Sequence, residues 1–393
     1  MSVNTMSFEQ AASILTSLAN QATGGAAQAV TDLSSYISVG QATLRTGLDP
    51  LSIGVSQLVA KTIFSYRPYR GILASLDRDS NEWGAITRKL SAIQQPVAND
   101  KTYALVDGAQ ASNMFDVRKP KLWQANFYGY DVWADSVSVT RKQLQNAVQN
   151  PADMGRLMDL VLGTKANEME IARVAFRRAT LSNMIAAVNA IGNTAQIRHL
   201  LTEYNTATGL SLTATTVKQP ANYGGFIRWA YAQIAKASDL LEEPTAKYHL
   251  NPSAGTILRH TPKADQRLYV YSGALRDIDG QVLATTFNDD RVKLPEVTEE
   301  VNFFQSLDKP DEINIKPAYI DATGAIVASP AAQHVTNIFA LLCDRDAVGV
   351  NFYDQSVEVS PYEASGQYYN YWYHDAHRYY NDVTENAVLF LMD

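Results

Sequence analysis

Apolar positions in this chain fall into blocks of different period. From Asn150 to Ile191 the spacing is helical. Asn150 suits an N-cap, Pro151 the first turn, and Asp153 places an acid near the exposed N–H groups. No proline follows until well past Gly192-Asn193, a C-terminal stop signal. Val161, Met169, Ala172, Phe176 and Ala179 keep helical spacing without a sustained heptad. Gly155 and Gly163 weaken the segment and leave a break near 163 open. Unbroken, the helix would run about 60 Å. Arg156, Lys165, Glu168, Glu170, Arg173, Arg177 and Arg178 exclude a membrane span, which leaves a single spine lying across a sheet.

Before that helix the period changes to two. Ser136 to Val139 alternates as a half-buried strand does, and Thr102–Val106 and Leu122–Trp133 read as further strands. Residues 107–113 between them read as an exposed tip. The pattern predicts a long two-stranded excursion leaving after residue 80 and returning before 140. A two-stranded ribbon is marginal in water, so a partner subunit is its expected support.

After the helix, the Thr- and Asn-rich residues 203–222 read as a loop or short hairpin. Gly224-Gly225 opens a helix carrying Phe226, Ala230, Ile234, Ala237 and Leu241, ended by Pro244. Tyr248-His249-Leu250 reads as a short strand, and Asn251-Pro252-Ser253 as a turn into a helix through Leu258. Acidic residues outnumber basic ones over 265–312, as on a solvated face. Phe339–Cys343, Val348–Phe352 and Val357–Val359 read as strands. The apolar run from Ala387 to Met392 reads as a terminal strand tied into a sheet.

Composition adds limits. Residues 1–60 are rich in Ala, Ser, Thr, Gln and Gly and carry only Glu9, Asp32, Arg45 and Asp49 as charges. Ser7 with Gln10 makes a capping box for a short helix. Such a segment cannot build its own core and is expected to be an arm docking on neighbouring subunits. The net charge of −7 argues against a strongly basic nucleic-acid-binding surface. The single cysteine, Cys343, excludes an internal disulfide and sits in an apolar run, as a buried strand residue would. No basic residue precedes Arg45, so no leader is expected. No run reaches the ~18 apolar residues of a membrane span, so no membrane partner is expected.

Chemical signals are sparse. His374-Asp375-Ala376-His377 resembles a metal half-site if helical, but no further Cys or compact His cluster completes it. The surrounding Tyr368, Tyr369, Tyr371, Trp372, Tyr373, Tyr379 and Tyr380 suit an aromatic surface or core edge. Gly224-Gly225 lacks the Lys-Ser/Thr of a phosphate loop, and Glu242-Glu243 and Glu299-Glu300 are adjacent pairs that point apart. No catalytic residue, metal site or cofactor is expected, and the chain is not expected to be an enzyme.

The element order is an apolar arm, a β excursion, a spine helix, an α/β domain and returning strands. It resembles the major capsid protein of tailed double-stranded DNA bacteriophages, the fold shared with encapsulins and the herpesvirus capsid floor. The 150–191 helix carries part of the likeness. The helix from Phe226 followed by His249-Leu250-Asn251-Pro252-Ser253-Ala254 carries more, as do the runs Phe339 to Ala347 and Asn386 to Leu391. The resemblance implies an α+β fold with an N-terminal arm, an extended β loop (E-loop), a spine helix in a peripheral domain, and an α/β axial domain. On this chain the parts map to an arm over 1–60, the peripheral-domain start with E-loop over 61–142, and the peripheral domain over 143–223. The axial domain follows over 224–345, and returning strands over 346–393.

That likeness implies self-assembly of hexamers and pentamers into an icosahedral shell around double-stranded DNA, held by weak nonspecific contact. It further implies a portal, a separate scaffolding protein because 60 residues are too few for a fused one, and in some relatives a decoration protein. The virion would be its location, after assembly in the host cytoplasm. Trp83, Arg88, Lys89, Arg118, Lys119 and Trp123 are the candidate subunit contacts, since Trp and Arg are enriched at interfaces. The plainer alternative is a solvated ribbon packing only on its own helix. Two other roles stay open at this point: an encapsulin-like compartment, and an adhesive or carbohydrate-binding surface protein using the Tyr-rich run.

Overall fold

The computed structural model describes Thr16 and residues 71–78, 87–93, 119–127, 131–143, 165–274, 276, 297–327 and 330–393. The expectations for the arm, for the strand at 102–106, for the tip at 107–113 and for the helix before residue 165 lie outside these residues.

A five-stranded sheet lies at the centre, in the order β4-β12-β9-β5-β6. Its strands are β4 (Ile197–His199), β5 (Gln266–Tyr271), β6 (Val297–Val301), β9 (Ile338–Asp344) and β12 (Ala387–Leu391). β12 runs antiparallel to β9 and parallel to β4, and β5 runs antiparallel to β9 and parallel to β6. Every residue of β9 and β12 is buried. Their continuous apolar runs follow from cover on both faces. Leu341, Cys343, Leu389, Leu391 and Tyr269 share one core with α1 (Lys165–Ile191). Their neighbours Ala340, Leu342, Val388, Phe390, Leu268 and Val270 point the other way, into a core with α2 (Leu200–Thr208) and α3 (Pro220–Leu241). The result is three layers, with helices on both sides of the sheet.

α1 explains its own irregular periodicity. Residues 184–188 are buried all round, so no single stripe is apolar. Its N-terminal half instead packs on a second sheet, ordered β10-β11-β3 and wholly antiparallel, made of β3 (Asp131–Thr140), β10 (Val348–Val359) and β11 (Tyr368–Asn381). The helix ends at Gly192, in the left-handed region at φ 67°. A small pair, β7 (Ile313–Ile315) with β8 (Gln333–Val335), also packs on α1. Among the described residues no helix is long and apolar enough to cross a membrane.

β1 (Thr87–Ile93) and β2 (Lys121–Phe127) pair antiparallel as a separate two-stranded ribbon, from Thr87 opposite Phe127 to Ile93 opposite Lys121.

Several expectations are corrected. The strand expected over Leu122–Trp133 is two strands, β2 and β3, in different sheets. Residues 200–208, expected as loop from 203, form α2. Buried Leu200 and Leu201 anchor it, the backbone oxygen of Asp393 accepts from Thr202 N at 3.1 Å, and Gly209 stops it at φ 71°. α3 begins at Pro220 rather than at Gly224-Gly225, with proline at N1. Tyr248–Leu250 is not a strand and no helix follows Asn251. The Asn251 amide donates to Ala246 O at 2.8 Å and its oxygen accepts from Ile257 N at 3.2 Å. These side-chain bonds to backbone hold the segment as an irregular loop. Val348–Phe352 and Val357–Val359 are one strand, β10, with an irregularity between Phe352 and Asp354. Within the acidic stretch 265–312, β5 was not foreseen and is largely buried.

Candidate assembly surfaces

The ribbon has two unlike faces. Trp123, Ala125 and Ile93 are buried against Ile257 and Ile320, with Phe127 beside them. Leu90 is 61% exposed and Leu122 63% exposed. Leu90 pairs with Gln124 and Leu122 with Ala92, so these four residues share the outward face. The two leucines form a diagonal apolar strip on that face.

The six expected contact residues separate. Trp83 and Arg118 lie outside the described residues. Arg88 belongs to β1, opposite Asn126. Lys119 is exposed just before β2. Lys89 and Trp123 are engaged within their own chain. The Lys89 ammonium pairs with Asp382 and Glu385, and the Trp123 ring is 6% exposed in the seat just described. The inner face packs on Ile257 and Ile320 of its own chain, neither of them in a helix. Leu90 and Leu122 were not singled out, and β1 was not foreseen; the alternation Leu90-Ser91-Ala92-Ile93 was its only signal.

The Tyr-rich run is β11, the middle strand of its sheet. Tyr369, Tyr371 and Tyr373 are buried, whereas Trp372 faces out. His374-Asp375-Ala376-His377 lies on this strand rather than on a helix. Asp375 and His377 point inward, while His374 is on the opposite face. The His377 ring packs 3.9 Å from Trp133 and 4.4 Å from Phe176. No group of three metal-ligating side chains occurs among the described residues.

Beside that strand, α1 carries a buried ionic cluster. The Arg177 guanidinium donates to both carboxylate oxygens of Asp77 at 2.7 Å and to Glu170 Oε1 at 3.2 Å. Gly71 N donates to the same Glu170 oxygen at 3.1 Å. Arg173 Nε donates to Asp375 Oδ2 at 2.7 Å. Both guanidinium groups stand over the Phe352 ring, at 5.0 and 5.4 Å from its centroid. Burial raises the Asp375 carboxyl above its ordinary range, against the pull of Arg173. Burial alone would lower Arg177, but its bonds to Asp77 and Glu170 raise it. These contacts fix α1 to the three-stranded sheet and offer no open position for chemistry.

Cys343 is fully buried in β9, where burial pushes its thiol up to about 12. An open polar concavity of ≈ 690 Å³ is bounded by Arg259, His260, Asp265, Asp344, Arg345 and Glu385. A smaller aromatic slot of ≈ 100 Å³ lies between Phe127, Tyr319, Ile326 and Tyr379.

Comparison with known proteins gives this arrangement a context. No curated protein matches the chain. The structure of the Staphylococcus phage Andhra capsid is similar with a TM-score of 0.55 at 10% identity, over 82% of this chain and 84% of that one. A structure of native bacteriophage P68, described as its head fiber and inner core protein gp22, is similar at 0.54 with 11% identity, over 82% and 84%. At such identities the likeness is one of fold, and the mixed helix-and-sheet fold is that of phage capsid structures. The family model for the Phi29-like phage major capsid protein matches residues 28–391, nearly the whole chain. The chain belongs to the Phi29-like phage major capsid proteins, structural proteins that form the shell of the virion.

Proposed function

We propose that copies of this chain form hexamers and pentamers that close into an icosahedral shell around double-stranded DNA. The observation that carries the reading is the outward strip of Leu90 and Leu122 on a ribbon whose inner face is already occupied. Two leucines more than half exposed on a two-stranded ribbon are costly to leave in water and suit burial against a sister subunit. Arg88 and Lys119, with Trp83 and Arg118, would form the polar rim of that contact. The ribbon acts as the base of the E-loop, residues 1–60 as an arm on neighbouring subunits, and α1 as the spine of a peripheral domain built on the three-stranded sheet.

The axial domain centres on the five-stranded sheet with α2 and α3. That sheet also takes in β4 at 197–199 and β12 at 387–391. Assembly would take place in the host cytoplasm with a portal and a separate scaffolding protein, and a decoration protein is a further candidate partner. The acidic balance, −7 overall, suits weak contact with DNA without sequence reading. The role is structural, with no catalytic step.

Electron microscopy of the full chain, co-expressed with a scaffolding protein, tests the reading. Closed shells of uniform diameter are expected from the parent chain. Leu90→Asp with Leu122→Asp is expected to give folded subunits without shells. Shells from that double variant in undiminished yield would refute the ribbon contact.

A further inference from the structure

The ribbon is not part of either larger sheet. Among the described residues, β1 and β2 pair only with each other. Besides the Phe127 ring, which stands 5.8 Å from that of Tyr380, two side-chain devices join the pair to its own body among the described residues. One is the apolar seat of Ile93, Trp123 and Ala125 on Ile257 and Ile320. The other is ionic and lies at the turn between β11 and β12. Lys89 reaches from β1 to Asp382 and Glu385, which are 3% and 8% exposed. Beside it, Arg259 Nη2 donates to Ser91 Oγ at 2.7 Å, while Arg259 Nε donates to Thr384 O at 3.3 Å and stands 3.5 Å from Glu385 Oε2.

The turn itself holds firm without the ribbon. Asp382 Oδ1 accepts from Thr384 N at 2.9 Å and from its hydroxyl at 2.6 Å. Asp382 N donates to Ala347 O at 2.7 Å, and Leu250 N donates to Val383 O at 2.8 Å. Glu385 and Arg259 also border the open polar concavity, so water reaches the ionic side of the joint.

We propose that Lys89, gripped by Asp382 and Glu385, is the catch of a releasable clamp that sets the ribbon against its own subunit. One ammonium answers two buried carboxylates, Glu385 sharing Arg259 besides, and among the described residues no backbone hydrogen bond joins ribbon and body. Water from the concavity can rehydrate Glu385 and Arg259 once Lys89 leaves. The body therefore keeps its fold while the ribbon changes its angle. A freed two-stranded ribbon is marginal, so its own ladder frays when the clamp opens. The inference concerns the joint inside one subunit and stands apart from what the ribbon's outer face meets.

Hydrogen exchange on purified full-length subunits tests it. In Lys89→Met, amides of β1 and β2 are expected to exchange at least about tenfold faster while those of β9 and β12 stay within about twofold. Lys89→Met alone strands Asp382 and leaves Glu385 with Arg259 at 3.5 Å, so a second variant removes charge from both sides: Lys89→Met, Asp382→Asn and Glu385→Gln together. The amide oxygen introduced by Asp382→Asn would still accept from Thr384. This triple variant is expected to melt with the parent chain yet keep the fast ribbon exchange. Unchanged ribbon exchange in both variants would overturn the clamp. So would a rise of equal size in β9 and β12, which would make Lys89 a general structural residue.

Discussion

Replacing Arg177 by Met tests how α1 is held to the rest of the subunit. The side chain is 6% exposed and makes three charge-assisted bonds, two to Asp77 and one to Glu170. The two acids are not equivalent. The Asp77 side chain is 40% exposed and rehydrates when its partner goes, so its share is small. Glu170 is 4% exposed and would keep only Gly71 N at 3.1 Å, with Arg173 standing off at 3.9 Å. Stranding one member of a buried pair costs about 3–5 kcal/mol, and the remaining bond to Gly71 places the expectation near the lower end. A loss of about 3 kcal/mol is a factor of roughly 150 in the folding equilibrium. Urea denaturation of unassembled subunits, followed by circular dichroism, measures it. Adding Glu170→Gln removes the stranded charge and is expected to recover about half or more of the loss, a coupling that a double-mutant cycle reads directly. A single-variant loss below about 1 kcal/mol, or simple addition of the two losses, would refute the reasoning.

Three further perturbations have defined outcomes. Gly255→Ala places a methyl 2.6 Å from Ile93 Cγ2 at a φ of +150°, so it should cost about 1–3 kcal/mol and raise hydrogen exchange first in β1; exchange rising first in β9 would contradict that. Cys343, buried and with its thiol pushed up to about 12, should resist iodoacetamide at pH 8 in the native chain and react after unfolding in urea, as mass spectrometry would show. Asp375 has its folded carboxyl raised by burial, so the fold binds that proton more tightly than the unfolded chain. Its contribution becomes more favourable as pH falls from neutral through the raised value to the ordinary one. Asp375→Asn takes a partner from Arg173, and its cost relative to the parent should be smallest at neutral pH and grow in acid; a cost that shrinks on acidification would reverse the sign.

How much was legible depends on what covered each segment. Phe339–Cys343 and Ala387–Leu391 were readable because strands covered on both faces become unbroken apolar runs. The α3 face from Phe226 to Leu241 was readable because one stripe is buried. α2 was hidden because its Thr and Asn residues have poor helix propensity, and its support is tertiary: Leu200 and Leu201 in the core, and Tyr204 edge-on to Phe226 and Trp229. The Asn-Pro step misled because Asn251 spends its amide on the loop. In β2, Leu122 and Gln124 alternate with Trp123 and Ala125. A period of two separates the faces without saying which one meets water, and the larger aromatic turned inward. The Lys89 clamp joins residues nearly three hundred positions apart, and no local pattern announces such a contact.

The two larger sheets and the ribbon are joined in different ways, and the difference bears on how a shell subunit adapts. β9 passes into β10 through Arg345, Asp346 and Ala347, and β11 into β12 through residues 382–386. The two crossings lie side by side, with Asp382 N donating to Ala347 O at 2.7 Å and Asp344 N to Asn386 O at 2.8 Å. Arg78 staples the first crossing to its flanking strands from outside: its guanidinium donates to the carbonyls of Ser75, Arg345 and Val348 and to the Tyr380 hydroxyl, while its backbone N–H donates to Val350 O at 2.9 Å. α1 then spans both sheets, packing on β10, β11 and β12. Bending one sheet against the other would break backbone hydrogen bonds at the fully buried Ala347 and Asn386, at a cost of about 1–3 kcal/mol for each group left unpaired. Among the described residues, moving the ribbon breaks side-chain contacts alone, part of them already beside water. Differences of shape between subunits at unlike positions in a closed shell are therefore cheapest at the ribbon, and the double sheet with its helix should move as one body.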